Sequence, residues 1–194
     1  MILNNILLLL LILVKTMSSN MIVKELVGPT NGFMQKSRSI LTLEHDLIFA
    51  VQQKNLDQIE KILNDVSDPH SPNYGKHLTK EEVNALTANN EGKKLVLEFL
   101  NNWNAVVVSS NDNYITAKAT IEIWNQALST TFYDYENVMK GKTVQRCMEY
   151  SLPVELASQV ASVMGTVQFP ATVEIGHPRI GRIPLKLATM NGHE

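Results

Sequence analysis

Five histidines, nineteen carboxylates and one cysteine are the groups in this 194-residue chain that could carry acid–base, nucleophilic or metal chemistry. The histidines stand at 45, 70, 77, 177 and 193, scattered rather than clustered. Glu44-His45-Asp46 has the composition of an acid–base cluster. Within a strand, however, successive side chains alternate between faces, so Glu44 and Asp46 point one way and His45 the other. A solvated strand edge is the expected outcome. Cys147 stands alone, which excludes an intrachain disulfide, and it is expected to be a half-buried strand residue rather than a reactive thiol. No phosphate-cradling glycine loop, nucleophile elbow or metal-ligand spacing is present. The residues thus point to no catalytic centre, no metal site and no cofactor.

The elements that would position any site can be read from the same chain. Hydrophobic residues make up 44% and charged residues 19%, with 17 basic and 19 acidic residues mixed and a net charge of −2. That balance argues against nucleic acid or an anionic membrane surface as partner. Ile6 to Val14 is an unbroken apolar run, too short to span a bilayer and suited to the core of a signal peptide over residues 1–18. Ser18 and Ser19 supply small residues for cleavage, although Lys15 follows the run instead of preceding it. Residues 19–39, with Gly28-Pro29 and Asn31-Gly32, read as an extended lead-in.

From Ile40 the pattern sharpens. Leu41, Leu43, Leu47, Phe49 and Val51 alternate as in a half-buried strand with an interruption near Glu44-His45-Asp46. Asn55 is expected to cap a helix whose apolar face is Leu56, Ile59, Leu63 and Val66. A helix over 91–103 carries Leu95, Val96, Phe99, Leu100 and Trp103. A short apolar strand over 105–108 and the turn 109–113 lead into a strand over 114–119, with Ile115, Ala117 and Ala119 on one face. Ile121, Trp124 and Leu128 mark another helix, and both tryptophans are expected in the core. Strands follow over 131–136 and 143–148, then a short helix entered through Ser151-Leu152-Pro153, and a last strand over 163–169. The order is that of an α+β, ferredoxin-like antiparallel sandwich with extra helices.

Between the first two helices lies Ser67-Asp68-Pro69-His70-Ser71-Pro72-Asn73-Tyr74-Gly75-Lys76-His77-Leu78-Thr79. The two prolines push Asp68 and Ser71 out of the helical region and so must stop the first helix. Thr79-Lys80-Glu81-Glu82 has capping-box spacing and starts the second. Tyr74 is expected to pack its ring under the turn.

This segment resembles the signature of the activation prodomain of sedolisins, the serine-carboxyl peptidases that include kumamolisin and tripeptidyl-peptidase I. The signature residues are Asp68, Pro69, Ser71, Pro72, Tyr74, Gly75, Lys76, His77, Leu78 and Thr79. The resemblance runs from about Leu41 to Pro170 and takes in Gln126-Ala127-Leu128 followed by Phe132, Ser151-Leu152-Pro153 and Phe169-Pro170. The tripeptidyl-peptidase I branch looks closest. It implies a ferredoxin-like domain over 40–170 that helps a protease fold, covers it, and is released at acidic pH. The implied partner is a sedolisin-type catalytic domain, in cis or in trans, and the implied setting is the secretory pathway, outside the cell or in an acidic lysosome-like compartment. Phe169 and Pro170 become candidate protease contacts. Residues 171–194 become the start of a linker, expected to lack order, with Arg179 and Arg182 flanking candidate processing points. The family's catalysis needs a Ser-Gly-Thr-Ser turn and a Glu and Asp four apart on one helix. No Glu here has an Asp four residues later, and Met164-Gly165-Thr166 lacks the serine. The family's calcium site has no counterpart either. The domain is expected to do no chemistry by itself.

Overall fold

The computed structural model describes residues 20–139 and 141–171. In chain order the elements are β1 (Met21–Leu26), β2 (Met34–Arg38), β3 (Glu44–Val51), α1 (Leu56–Ser67), α2 (Lys80–Thr87), α3 (Asn90–Asn102), β4 (Val106–Ser110), β5 (Tyr114–Thr120), α4 (Ile121–Ala127), β6 (Phe132–Asn137), β7 (Lys142–Cys147), β8 (Glu149–Pro153), α5 (Val154–Ala157) and β9 (Val160–Met164). The central sheet has the order β4-β5-β3-β9, with every neighbour antiparallel. The chain passes from β3 through helices to β4 and leaves room for β5 between them. It then passes from β5 through α4, the β6–β7 hairpin, β8 and α5 to β9 on the far side of β3. Those two split crossovers make the α+β, ferredoxin-like sandwich the sequence predicts.

Alternation builds the core. Leu47, Phe49 and Val51 of β3 and Ile115, Ala117 and Ala119 of β5 are buried, and the register sets Leu47 opposite Ala117 and Phe49 opposite Ile115. Val96, Phe99 and Leu100 of α3 and Ile121 and Trp124 of α4 close over that face. The Phe49 ring lies 6.2 Å from both Phe99 and Trp124. Trp124 is fully buried and its indole N–H donates to the His45 carbonyl at 2.8 Å. Trp103, expected in the core, is only partly buried and ends α3 as its C-cap.

Several elements depart from the sequence reading. β3 begins at Glu44 without interruption, while Ile40, Leu41 and Leu43 lie in the turn before it and are exposed. Apolar alternation had run on across a turn, because periodicity does not register a change of chain direction. The last strand is 160–164 rather than 163–169, since Gly165 takes φ 94° and leaves the ladder. The lead-in is extended, and it is also paired: β1 lies against β8 and β2 against β6. Hairpin β6–β7 and β2 enclose a second small core of Phe33, Tyr135 and Val144. β4 is an edge strand whose residues are all exposed, so its three valines do not enter the core.

Candidate functional site

The signature segment is a self-bonded turn. Asp68 ends α1 as its C-cap, and the Gly75 N–H returns to the Val66 carbonyl at 2.9 Å. Gly75 has φ 75°, a conformation glycine adopts without steric cost. Asp65, not singled out by the sequence reading, anchors the loop by accepting from the Ser71 hydroxyl at 2.5 Å and the Asn73 amide at 2.8 Å. The Ser71 bond, followed by that of Asn73, holds its carboxyl below the usual carboxylate range. An Asp six residues before a Ser is too common a spacing to have signalled this. Asp68 accepts from the His70 N–H at 2.9 Å. Thr79 forms the expected capping box, its hydroxyl accepting from the Glu82 N–H at 3.2 Å and its own N–H donating to Glu82 Oε2 at 2.7 Å. That backbone bond is the main cause holding the Glu82 carboxyl low.

Two expectations fail at this segment. Tyr74 does not pack under the turn: its residue is 58% exposed, and Pro72, Asn73, Gly75, Lys76 and His77 around it are also exposed. Asn55 occupies the N-cap of α1 but makes no capping bond, because it sits in the left-handed region at φ 55°. Its amide instead donates to the Leu86 carbonyl at 2.8 Å and ties α1 to the end of α2. Leu78 and His77 line a pocket of about 150 Å³ with Ile59, Leu63, Val66 and Val83.

The Glu44-His45-Asp46 triplet splits across the sheet as alternation requires. Lys118 lies 3.7 Å from Glu44 and 3.9 Å from Asp46 on one face. His45 turns to the other face. There its Nε2–H donates to the Gly165 carbonyl at 3.0 Å and its ring meets Phe132 edge-on at 5.3 Å. Burial, the largest cause, lowers the His45 pKa; the hydrogen bond to Gly165 opposes it, and nearby Arg146 acts with it. Arg146 Nη1 donates to the same Gly165 carbonyl at 3.3 Å and also to Gln145 O, while its Nε–H donates to Gln168 O. Cys147 is fully buried rather than half-buried, and burial pushes its thiol up to about 12. It stays protonated and unreactive at physiological pH. Among the described residues no group of three His, Cys, Asp or Glu is placed to hold a metal ion.

Phe169 and Pro170 fold back onto the domain. The Phe169 ring lies 5.6 Å from Phe33 and 4.8 Å from Tyr135. The Asn31 amide reaches the carbonyls of Phe169 at 3.4 Å and Pro170 at 3.2 Å. The lead-in thus clamps the C-terminal end of the domain. The signature, the His45–Arg146 pair and the Phe169 clamp are three separate clusters, and none pairs a nucleophile with a base. Arg179, Arg182 and the 1–18 signal segment lie outside the described residues. No helix among the described residues is long and apolar enough to cross a membrane.

Comparison with known proteins places these clusters in a family. The family model for the pro-kumamolisin activation domain matches residues 34–169. Physarolisin of Physarum polycephalum is 33% identical over 126 residues, which is 63% of this chain and 22% of that protein. Tripeptidyl-peptidase 1 of Canis lupus familiaris is 31% identical over 149 residues, 73% of this chain and 26% of that protein. The probable tripeptidyl-peptidase SED4 of Trichophyton verrucosum is 26% identical over 156 residues, 77% of this chain and 26% of that protein. The chain spans about a quarter of the length of the curated relatives it matches. With a family match over well more than half of its length, the protein belongs to the pro-kumamolisin activation domains of the sedolisin peptidases.

Proposed function

We propose that this chain serves a sedolisin-type catalytic domain as folding aid and inhibitor, in cis within a longer product or in trans, and leaves it at acidic pH. The family match over residues 34–169 carries the reading. The sheet supports it: the face turned from α3 and α4 carries Ile48, Tyr114, Ser162, Met164 and Val106, none of them buried, beside Glu44, Asp46 and Lys118. A mixed apolar and charged face of this kind suits a partner that docks and leaves. The rigid signature loop, with Tyr74 outward, is proposed as a second contact, and Phe169 and Pro170 as the point from which the chain turns toward the protease. Residues 40–170 are assigned to the activation domain, 1–18 to a signal peptide, and 171–194 to a linker processed near Arg179 or Arg182. Secretion or delivery to an acidic lysosome-like compartment follows from this assignment. Protonating five histidines adds five positive charges to a net charge of −2, protonating carboxylates raises it further, and the carboxylate pairings so lost would loosen the complex.

The test is inhibition of a sedolisin-type tripeptidyl peptidase by the purified chain. Tight inhibition at pH 7 and weak inhibition at pH 4 is expected. No inhibition at either pH overturns the inhibitor reading, and equal affinity at both overturns acid release. The chain is read as having no peptidase activity by itself, and turnover of a tripeptidyl substrate by it would refute that.

A further inference from the structure

We propose that His45 and Arg146, converging on the carbonyl of Gly165, form an acid-sensitive latch that holds the exit segment 165–170 against the domain and releases it when the imidazole gains a second proton. The latch rests on the acid-release reading above for its biological use, though not for its chemistry.

Gly165 is where the chain leaves β9, and everything beyond it up to Pro170 runs toward the candidate linker. Three groups hold that segment at its start. His45 donates to the Gly165 carbonyl at 3.0 Å, Arg146 donates to the same oxygen at 3.3 Å and to Gln168 O, and the Cys147 N–H donates to Thr166 O at 3.0 Å. The neutral imidazole needs only its Nε2–H for this, and Nδ1 has no hydrogen-bond partner among the described residues. A guanidinium remains charged throughout the accessible pH range. Protonating His45 therefore sets a second cation on an oxygen that already serves one, in a half-buried site where like charges are poorly screened.

The Gly165 carbonyl favours the charged ring and Asp46 does so weakly, but burial outweighs both. From β7 come Arg146 and the protonated thiol of Cys147. From β6 comes Phe132 and from α4 Trp124, both uncharged. On β3 itself Glu44 and Asp46 point to the opposite face and are engaged by Lys118 of β5. Asp46 is the weakest of the four influences on the imidazole. The sign follows from linkage. Burial first, opposed by the hydrogen bond to Gly165 and aided by Arg146, sets the folded His45 pKa below its ordinary value of 6.5. The latch is then at full strength above that value and is lost as pH falls through the lower folded value.

The test uses the full chain and no peptidase. His45 is titrated by NMR while exchange of the Cys147 amide, whose acceptor is Thr166 O, is followed from pH 7.5 to 4.5, corrected for intrinsic rates. Protection is expected to fall about tenfold or more, with a midpoint that coincides with the His45 titration and lies below 6.5. In His45→Gln the side-chain amide still donates to Gly165 but cannot charge, so protection should persist through the same range. Exchange that ignores the His45 titration overturns the latch, as does His45→Gln opening at the wild-type pH. If that variant does not fold, the coincidence of the two wild-type midpoints decides alone. Because inhibition is not measured, failure of the latch leaves the inhibitor reading standing, and failure of inhibition leaves the latch standing.

Discussion

Among the described glycines, Gly165 is the one that combines a left-handed φ with a close backbone contact. A Cβ there would sit 3.1 Å from the Asp46 carbonyl and 3.1 Å from Leu47 Cδ2, and φ is 94°. Gly165→Ala should therefore cost about 1–3 kcal/mol in urea unfolding. A cost near zero would show that the turn relaxes freely. At the signature the residues divide by role. Thr79→Ala removes the α2 cap and should cost about 1 kcal/mol. Tyr74→Ala should shift the unfolding midpoint little, because the residue is 58% exposed, yet weaken inhibition of a partner peptidase. A large loss of stability in that variant would return Tyr74 to a structural role. Asp65 and Glu82 are both held below the usual carboxylate range by hydrogen bonds. Their contribution is present above the ordinary carboxylate pKa and is lost as pH falls through the lower folded values. Asp65→Asn should remove that acid dependence from amide exchange across residues 71–75. The capping box was readable because its partners lie three residues apart. The Asn55 bond to Leu86 spans 31 positions and was not.

At the scale of elements, the strands of the central sheet were the readable part. Leu47, Phe49 and Val51, and Ile115, Ala117 and Ala119, show their buried face directly as a period of two. The accessory strands were harder. β2 has every residue exposed, so no alternation marks it, and only its pairing with β6 makes it a strand. Its value lies in the clamp it continues: Asn31 and Phe33 precede it and hold Phe169. Phe169→Ala should cost about 1–2 kcal/mol, below the 3–5 typical of a fully buried phenylalanine, since the ring is only partly covered. It should also raise exchange of the Cys147 amide, whose acceptor is Thr166 O. A loss of stability with unchanged exchange there would mean that the ring supports the hairpin and not the exit segment.

At the scale of the molecule, three clusters serve one architecture. The signature braces the α1–α2 turn, the lead-in clamps the C-terminal end, and His45 with Arg146 ties that end to the central sheet. An activation domain built this way should bind a protease through an open sheet face and respond to acid at its exit. The sequence alone determined the family, the α+β class, the helix stop at Asp68-Pro69 and the Thr79 cap, since each rests on residues close in the chain. The tertiary structure alone decided that His45 meets Gly165, 120 residues away, that Arg146 joins it, that Phe169 is clamped by the lead-in, and that Tyr74 stands in solvent. Those are contacts between distant segments. Local propensity and spacing carry no record of them, because they form only when the sheet register brings β3, β7 and the end of β9 together.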